Sequence, residues 1–500
     1  MSSDNLRNRT ARGSLAAGGV VLVLRPLNIV TTIVLARILD PSVFGIVALG
    51  MLLITSSYRF TTLGMGSAFI HSDADEDKAA FHAFCVTVAS GIAIAALIIL
   101  FAQPLAGFLG DSTVTPVLRW LSTLLVLESL FVVPDAILRK HLMFERVSSI
   151  NLVSVLTSML LSISLAFSGF GLWSLVASKM AGEFLRMLLS WLLCPNRGWF
   201  RPQSWDKSLA SELIKYGTQG TAGGLITYLH THIDDWMVGR FLGVTALGYY
   251  SKAYDLSNKT LTNLSSDMVS SVFFPSYRKI RDDIQRLGRV YLKSLSFVTF
   301  MMTPIALGTF VVAPVAVPIL LGSKWMPMTF VLQIYSLMVL TRPISENTHP
   351  LFLAVGKPIY DVRAGIVLNL VMVPLAVLGL RWGIAGVALA VTFSHLIGML
   401  YNVYQVNTIL PGSARSTLGL TLLPWFAGAI MVVAVQAAKD PLLNTMHGNA
   451  NVTYLLLLIG LGALVYGLLS VLLQRKLLLD VLNMMYVALG RGKGTVSSAA

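Results

Sequence analysis

Leu35-Ala36-Arg37-Ile38-Leu39-Asp40-Pro41-Ser42-Val43-Phe44-Gly45 and Val238-Gly239-Arg240-Phe241-Leu242-Gly243-Val244-Thr245-Ala246-Leu247-Gly248, 203 positions later, follow one pattern. Each carries Arg after a small residue, then an apolar residue and Leu, then Ser or Thr, and closes on a bulky apolar residue and Gly. Each also joins two long apolar stretches. A second echo pairs Gly171-Leu172-Trp173-Ser174-Leu175-Val176 with Gly383-Ile384-Ala385-Gly386-Val387-Ala388, 212 positions apart. Two echoes in the same order at nearly the same offset predict duplicated halves. In a chain this apolar, duplicated halves predict a transporter with its substrate path between them.

Composition sets the class. Of 500 residues, 55% are hydrophobic and 12% charged, about half the charged share of an average soluble domain. A soluble chain with that much apolar surface would aggregate, so the chain reads as an integral membrane protein. Its net charge of +14 comes from basic residues in short loops between apolar runs, where they act as topology signals. No nucleic-acid partner is expected. Cys85 and Cys194 lie far apart inside apolar runs and make neither a disulfide framework nor a metal cluster.

Apolar runs of roughly 18–25 residues predict fourteen membrane spans, at 14–36, 43–69, 80–103, 116–135, 149–168, 172–194, 214–241, 246–274, 290–312, 326–347, 360–380, 384–406, 418–438 and 453–473. Arg25 interrupts the first run, and small residues before a cleavage site are missing, so it reads as a span and not a signal peptide. Arg7, Arg9, Arg12, Arg139, Lys140, Arg146, Arg197, Arg201, Lys207 and the basic run from Arg278 to Lys293 fall on one side. The other side holds little beyond Arg37, Arg119, Lys324, Arg381 and Lys439. This asymmetry places both termini in the cytoplasm. The acidic segment from His71 to Lys78 falls on the inner side against the trend, but acidic residues carry little weight in that rule.

The repeat offset covers six spans, an even number, so the halves share one orientation. Residues 1–205 are expected to form an N-lobe of spans 1–6 and residues 206–410 a C-lobe of spans 7–12. Residues 411–474 supply spans 13 and 14, and 475–500 a polar cytoplasmic tail. The fold class is all-α: two parallel-repeat six-helix lobes plus two C-terminal helices.

Ionisable residues inside apolar spans mark the expected chemistry: Arg25, Arg59, Lys179, Arg186, Lys259 and Arg342. Each costs roughly 2.5–3.5 kcal/mol at a span centre unless it meets water or a partner. Gly18, Arg25, Asn28 and Thr32 share one face of span 1, and Thr55, Arg59, Thr62 and Gly66 one face of span 2. Asp255, Lys259, Thr262, Ser266 and Ser270 repeat the spacing on span 8. Polar stripes of this kind line a hydrated cavity. Lys179 and Arg342 lie near span ends, where snorkelling or interhelical pairing accounts for them, and Arg186 suits either role. Arg25, Arg59 and Lys259 fall near mid-span and favour the cavity. Their sign suits an anionic cargo, phosphate above all. Asp234 and Asp235, on span 7, suit two roles that the sequence does not separate. They bind a coupling Na+ or H+, or they pair with Arg37 or Arg240 at an outer gate.

Enzyme signatures fail on inspection. Asp73-Ala74-Asp75 stands alone in a short acidic loop, His230 and His232 point apart on a helix, and no nucleotide-binding or hydrolase motif is present. No resident cofactor is expected.

With these features in hand the chain resembles the oligosaccharide flippases of the multidrug/oligosaccharidyl-lipid/polysaccharide exporter superfamily, in its Wzx-type polysaccharide transporter branch. The resemblance rests on the repeated turns, the basic inner loops, the MATE-like pair of six-helix lobes, and Phe274-Pro275-Ser276-Tyr277 followed by Arg281-Asp282-Asp283 and Tyr291-Leu292-Lys293. It covers about residues 10 to 475. It implies a bacterial inner-membrane protein that flips undecaprenyl-diphosphate-linked oligosaccharide for exopolysaccharide or lipopolysaccharide synthesis. A polysaccharide polymerase and glycosyltransferases would be its partners. Related peptidoglycan-precursor flippases use cavity arginines on their first two helices, and Arg25 and Arg59 lie on the matching spans. The full expected substrate set is Arg25, Arg59, Lys259, Arg186, Asn28, Thr62 and Thr262. Two rivals stand beside this reading. A MATE-like drug/cation antiporter would carry about twelve helices and embedded carboxylates. A membrane polymerase or glycosyltransferase would carry a sizeable outer loop with catalytic acids.

Overall fold

The computed structural model describes residues 3–262, 277 and 283–475; for 3–17, 22, 220–227, 229, 230 and 259–262 only the backbone is described. Regular structure among the described residues is all helical. Contacts divide the chain into two compact units, Met1–Ser251 and Lys252–Ala500. The first unit holds α1 (Ser3–Ile38), α2 (Pro41–Thr62), α3 (Met65–His71), α4 (Glu76–Leu100), α5 (Ala102–Leu109), α6 (Val114–Leu121), α7 (Thr123–Lys140), α8 (Phe144–Phe167), α9 (Leu172–Leu193), α10 (Lys207–Leu242) and most of α11 (Val244–Tyr254). The chain continues as π-helical backbone over Asp255–Thr262. The second unit then holds α12 (Ile284–Leu320), α13 (Thr329–Val339), α14 (Arg342–Ala354), α15 (Ile359–Gly379), α16 (Gly383–Ile409), α17 (Ser413–Thr445) and α18 (Val452–Leu473). The turn Val238–Gly248 thus belongs to the first unit by contact, although the duplication assigns it to the second half.

Nine helical stretches among the described residues are long and apolar enough to cross a membrane. One of them, Ile359–Ile409, carries two expected spans joined through Leu380–Trp382. Expected spans 6, 7, 8 and 10 are not among the nine. Most of expected span 8 lies outside the described residues, and the other three carry embedded charge, many polar residues or a break in the helix. α9 carries Lys179, Glu183 and Arg186, α10 carries Asp234, Asp235 and Arg240, and the tenth expected span is interrupted between Val339 and Arg342. Length and composition alone therefore do not count fourteen. Phe274–Ser276 and Arg281–Asp282, quoted for the resemblance, lie outside the described residues, as does the tail from 476. Asp283 is described: its carboxylate caps α12 by accepting the Arg286 N–H at 2.9 Å.

Prolines inside helices show how the backbone is kept satisfied. A proline has no N–H, so the carbonyl four residues earlier loses its helical partner, and hydrocarbon offers no water to replace it. Pro134 frees Leu130, whose carbonyl accepts the Trp191 indole N–H from α9 at 2.9 Å. Pro314 frees Phe310, which accepts the Gln333 amide from α13 at 2.9 Å. Pro304 frees Phe300, which accepts the Tyr466 hydroxyl from α18 at 3.0 Å. Each of these three breaks is answered by a side chain from a neighbouring helix.

The two duplicated turns meet each other. A Cβ built on Gly45 would lie 1.7 Å from the Val244 carbonyl oxygen, and one built on Gly248 would lie 1.9 Å from that of Pro41. No side chain fits at either position. The matching glycines of the two copies thus form a backbone-to-backbone contact between the starts of α2 and α11. A second close approach joins the α2–α3 break to α10. There Gly64, at φ 64°, follows Leu63 at φ 46°, and a Cβ on Gly217 would lie 2.1 Å from the Leu63 carbonyl oxygen. A bulky residue in left-handed backbone is strained by about 1–2 kcal/mol, and the packing on Gly217 holds it there.

Two tests follow from these contacts. Tyr466→Phe should cost about 1–3 kcal/mol by orphaning the Phe300 carbonyl, and much less in a Pro304→Ala background, where the helix supplies its own N–H. Thermal unfolding in detergent measures both; equal costs in the two backgrounds contradict the pairing. Gly45→Ala should overpack the turn contact by about 1–3 kcal/mol and widen the distance between spin labels placed on exposed Asp40 and Thr245. An unchanged distance contradicts the glycine contact.

Candidate functional site

The densest group of embedded charge lies in the first unit, on α7 and α9. Lys179, Glu183 and Arg186 recur at i, i+4 and i+7, one face of α9. The Lys179 ammonium donates to Glu183 Oε1 at 2.8 Å, and Arg186 Nη1 donates to Glu183 Oε2 at 3.1 Å. The same nitrogen lies 3.8 Å from Glu128 Oε2 on α7, and the guanidinium carbon sits 3.8 Å from the centre of the Phe131 ring. A ring face beneath a guanidinium adds attraction where water is scarce. Arg186 Nε is buried without a hydrogen-bond partner among the described residues. On α7, Glu128, Val132, Asp135 and Arg139 form one partly exposed stripe, backed by buried Leu124, Leu125, Ser129, Val133, Ala136 and Ile137. Arg139 Nε donates to Asp135 Oδ2 at 2.6 Å. Tyr58 of α2 lies within electrostatic reach of Glu128, Glu183 and Arg186.

The expected substrate residues are spread more widely. Arg25 is half-buried on α1, beside Pro26. Asn28 is exposed and its amide donates to the Leu24 carbonyl of its own helix at 3.0 Å. Arg59 is exposed in the last turn of α2, and Thr62 ends that helix half-buried. The α2–α3 break follows at once, so the Arg59 cation stands where helix carbonyls lose their partners, a favourable place for positive charge. The side chains of Lys259 and Thr262 lie outside the described residues; their backbone is π-helical. Asp255 pairs at 3.8 Å with Lys252, one turn before it.

The carboxylates of α10 have partners on α10 and α11. Asp234 is buried and accepts the Tyr250 hydroxyl at 2.7 Å, across the turn at Gly243. Asp235 lies 3.1 Å from His232 Nδ1, whose ring sits 4.5 Å from that of Tyr228. The Tyr228 hydroxyl donates to the Leu52 carbonyl of α2. Of the arginines expected beside these acids, Arg37 and Arg240 are both exposed, and Arg240 stands 5.8 Å from the Phe241 ring centre. Tyr250→Phe should remove about 1.5–3 kcal/mol, the worth of a hydrogen bond to a charged group. It should lower the thermal midpoint in detergent; an unchanged midpoint contradicts the bond.

Sequence reasoning missed Glu128, Glu183, Tyr58 and Tyr250. The first two were visible as spacing: Glu183 stands between two expected cations at helical distance, and Glu128 heads the stripe through Asp135 and Arg139. Nothing local marks Tyr58 or Tyr250.

Helical packing with charge inside the spans defines a multi-pass membrane protein of transporter fold. The structure of the lipid II flippase MurJ in an inward closed conformation aligns with a TM-score of 0.75 at 17% identity, over 93% of this chain and 100% of that one. An inward-facing MATE family multidrug resistance transporter aligns at 0.62 and 14%, over 77% and 95%. The family model for polysaccharide biosynthesis proteins matches residues 34–330. The chain belongs to that family. It is 24% identical to the lipopolysaccharide biosynthesis protein WzxC of Escherichia coli over 87% of this chain and 88% of that one. It is 27% identical to the succinoglycan biosynthesis transport protein ExoT of Rhizobium meliloti over 60% of each.

Proposed function

We propose that this protein flips a polyprenyl-diphosphate-linked oligosaccharide, of the undecaprenyl type, across the bacterial inner membrane by alternating access, for exopolysaccharide or lipopolysaccharide assembly. Its family and its flippase-like fold support transport, and the basic inner loops support cytoplasmic termini and fourteen spans. The single observation that carries the cargo assignment is embedded positive charge: Arg25 half-buried in α1, and Arg59 at the helix break in α2. A diphosphate is the part of such a lipid that rewards these cations, because charge-assisted hydrogen bonds to phosphate are the strong ones. In this reading Arg25 and Arg59 receive the diphosphate, with Lys259 on span 8 as a third cation. The polyprenyl chain stays in lipid beside α17 and α18. Asp234 ties α10 to α11 through Tyr250, and Asp235 pairs with His232 within α10. The protein catalyses no covalent step and needs no resident cofactor, and a polymerase and glycosyltransferases work on either side of it.

Arg25→Ala and Arg59→Ala should each reduce polymer export at least about tenfold, equivalent to one lost charged hydrogen bond, with normal amounts of protein in the membrane. Complementation of a flippase-deficient strain carrying the cognate biosynthetic genes measures this. Full export by both variants retires the diphosphate assignment.

A further inference from the structure

Resting on the flippase reading, we propose that Glu128, Glu183, Lys179 and Arg186 form a neutral-sugar site that reads the hydroxyls of the sugar next to the diphosphate. The argument starts with where these groups face. On α9 four of the five exposed apolar residues, Trp173, Phe184, Leu188 and Leu192, share one side, and the fifth, Leu193, is the helix's last residue. At 100° per residue, Lys179, Glu183 and Arg186 centre about 150° round from them. They face away from lipid, yet the Lys179 side chain is 43% exposed and that of Glu128 21%. A charged, partly open surface on the side away from lipid faces a hydrated space.

Charge then selects the ligand. Two carboxylates and two cations sum to zero, and Glu183 already takes a bond from each cation. A phosphate entering here would meet two carboxylates and would compete with them for Arg186. A sugar meets no such opposition, since each hydroxyl accepts one bond and donates another. The patch offers both kinds of partner. Among the described residues Glu128 has a 3.8 Å ion contact and no hydrogen bond, so its oxygens are ready acceptors. The Lys179 ammonium spends one of its three donors on Glu183. Arg186, held over Phe131 and bound to Glu183, positions both carboxylates. Adjacency completes the case. Arg59 lies on α2, and α2 packs against both α7 and α9, the helices that carry the cluster. The first sugar is bonded directly to the diphosphate, so a sugar site must lie beside the phosphate cations.

The test compares two probes on purified full-length protein in nanodiscs: undecaprenyl diphosphate, and the same lipid carrying one hexose. The wild type should bind the hexose-bearing lipid about tenfold tighter, the worth of one or two hydrogen bonds to charged groups. Glu128→Gln, which keeps the shape of the side chain but loses the ionised acceptor, should cut that increment to about twofold or less and leave undecaprenyl diphosphate affinity within about twofold. Lys179→Gln, a second and more exposed position, should do the same. The sugar site is overturned if the hexose adds nothing in the wild type, if the increment survives in both variants, or if each variant weakens both probes equally. Wild-type protein that binds neither probe overturns the flippase reading itself, and the sugar site with it.

Discussion

Everything in this fold answers to one constraint: inside hydrocarbon, no water completes a broken hydrogen bond or shields a charge. The helices meet it for most of the backbone. Where proline interrupts them, Trp191, Gln333 and Tyr466 close the freed carbonyls of Leu130, Phe310 and Phe300. These side chains therefore do more than fill space. They tie α9 to α7, and α13 and α18 to α12, at the points where α7 and α12 are weakest. The bends that proline introduces are thereby kept without orphaned carbonyls.

The same constraint sorts the charges. Lys179 and Arg186 are held by Glu183, with Glu128 close by, and Asp234 is held by Tyr250. Asp234 is the buried one of these, so loss of Tyr250 leaves its carboxyl without that partner, whereas the Lys179 side chain keeps access beyond its pair. Arg59 differs: it is exposed, and it stands at the α2–α3 break, where the backbone is already irregular. Discontinuous helices in transporters place ligand sites at such breaks. The charges of α7 and α9 are thus drawn into one mutually paired group, whereas Arg59 stands exposed at a helix break.

Much of this was legible in the sequence, and the reasons for the gaps are physical. The repeated turns were legible as a pattern, and Gly45 and Gly248, at matching positions in it, are residues whose backbones closely approach the opposite turn. Only the requirement for absent side chains was visible in advance, not the contact. The span count rests on apolar length, and α9, with three charges, and α10, rich in Gly, Thr and His, do not meet a measure of length and composition. The embedded cations were legible one by one because hydropathy singles them out. Their partner Glu183 is marked only by its spacing, four residues from Lys179. Tyr250 and Asp234 meet across a turn, and Trp191 meets Leu130 sixty-one residues away. Pairings of that kind depend on how helices pack, which periodicity does not encode.

The central claim is that embedded cations serve a lipid diphosphate. It is tested most directly by measuring transfer between leaflets in liposomes containing the purified protein. The cargo is a fluorescent undecaprenyl-diphosphate-linked oligosaccharide, compared with a polyprenyl glycoside of the same sugars that lacks the diphosphate. The account predicts protein-dependent transfer of the first lipid and none of the second. Equal transfer of both, or transfer of neither, would contradict it.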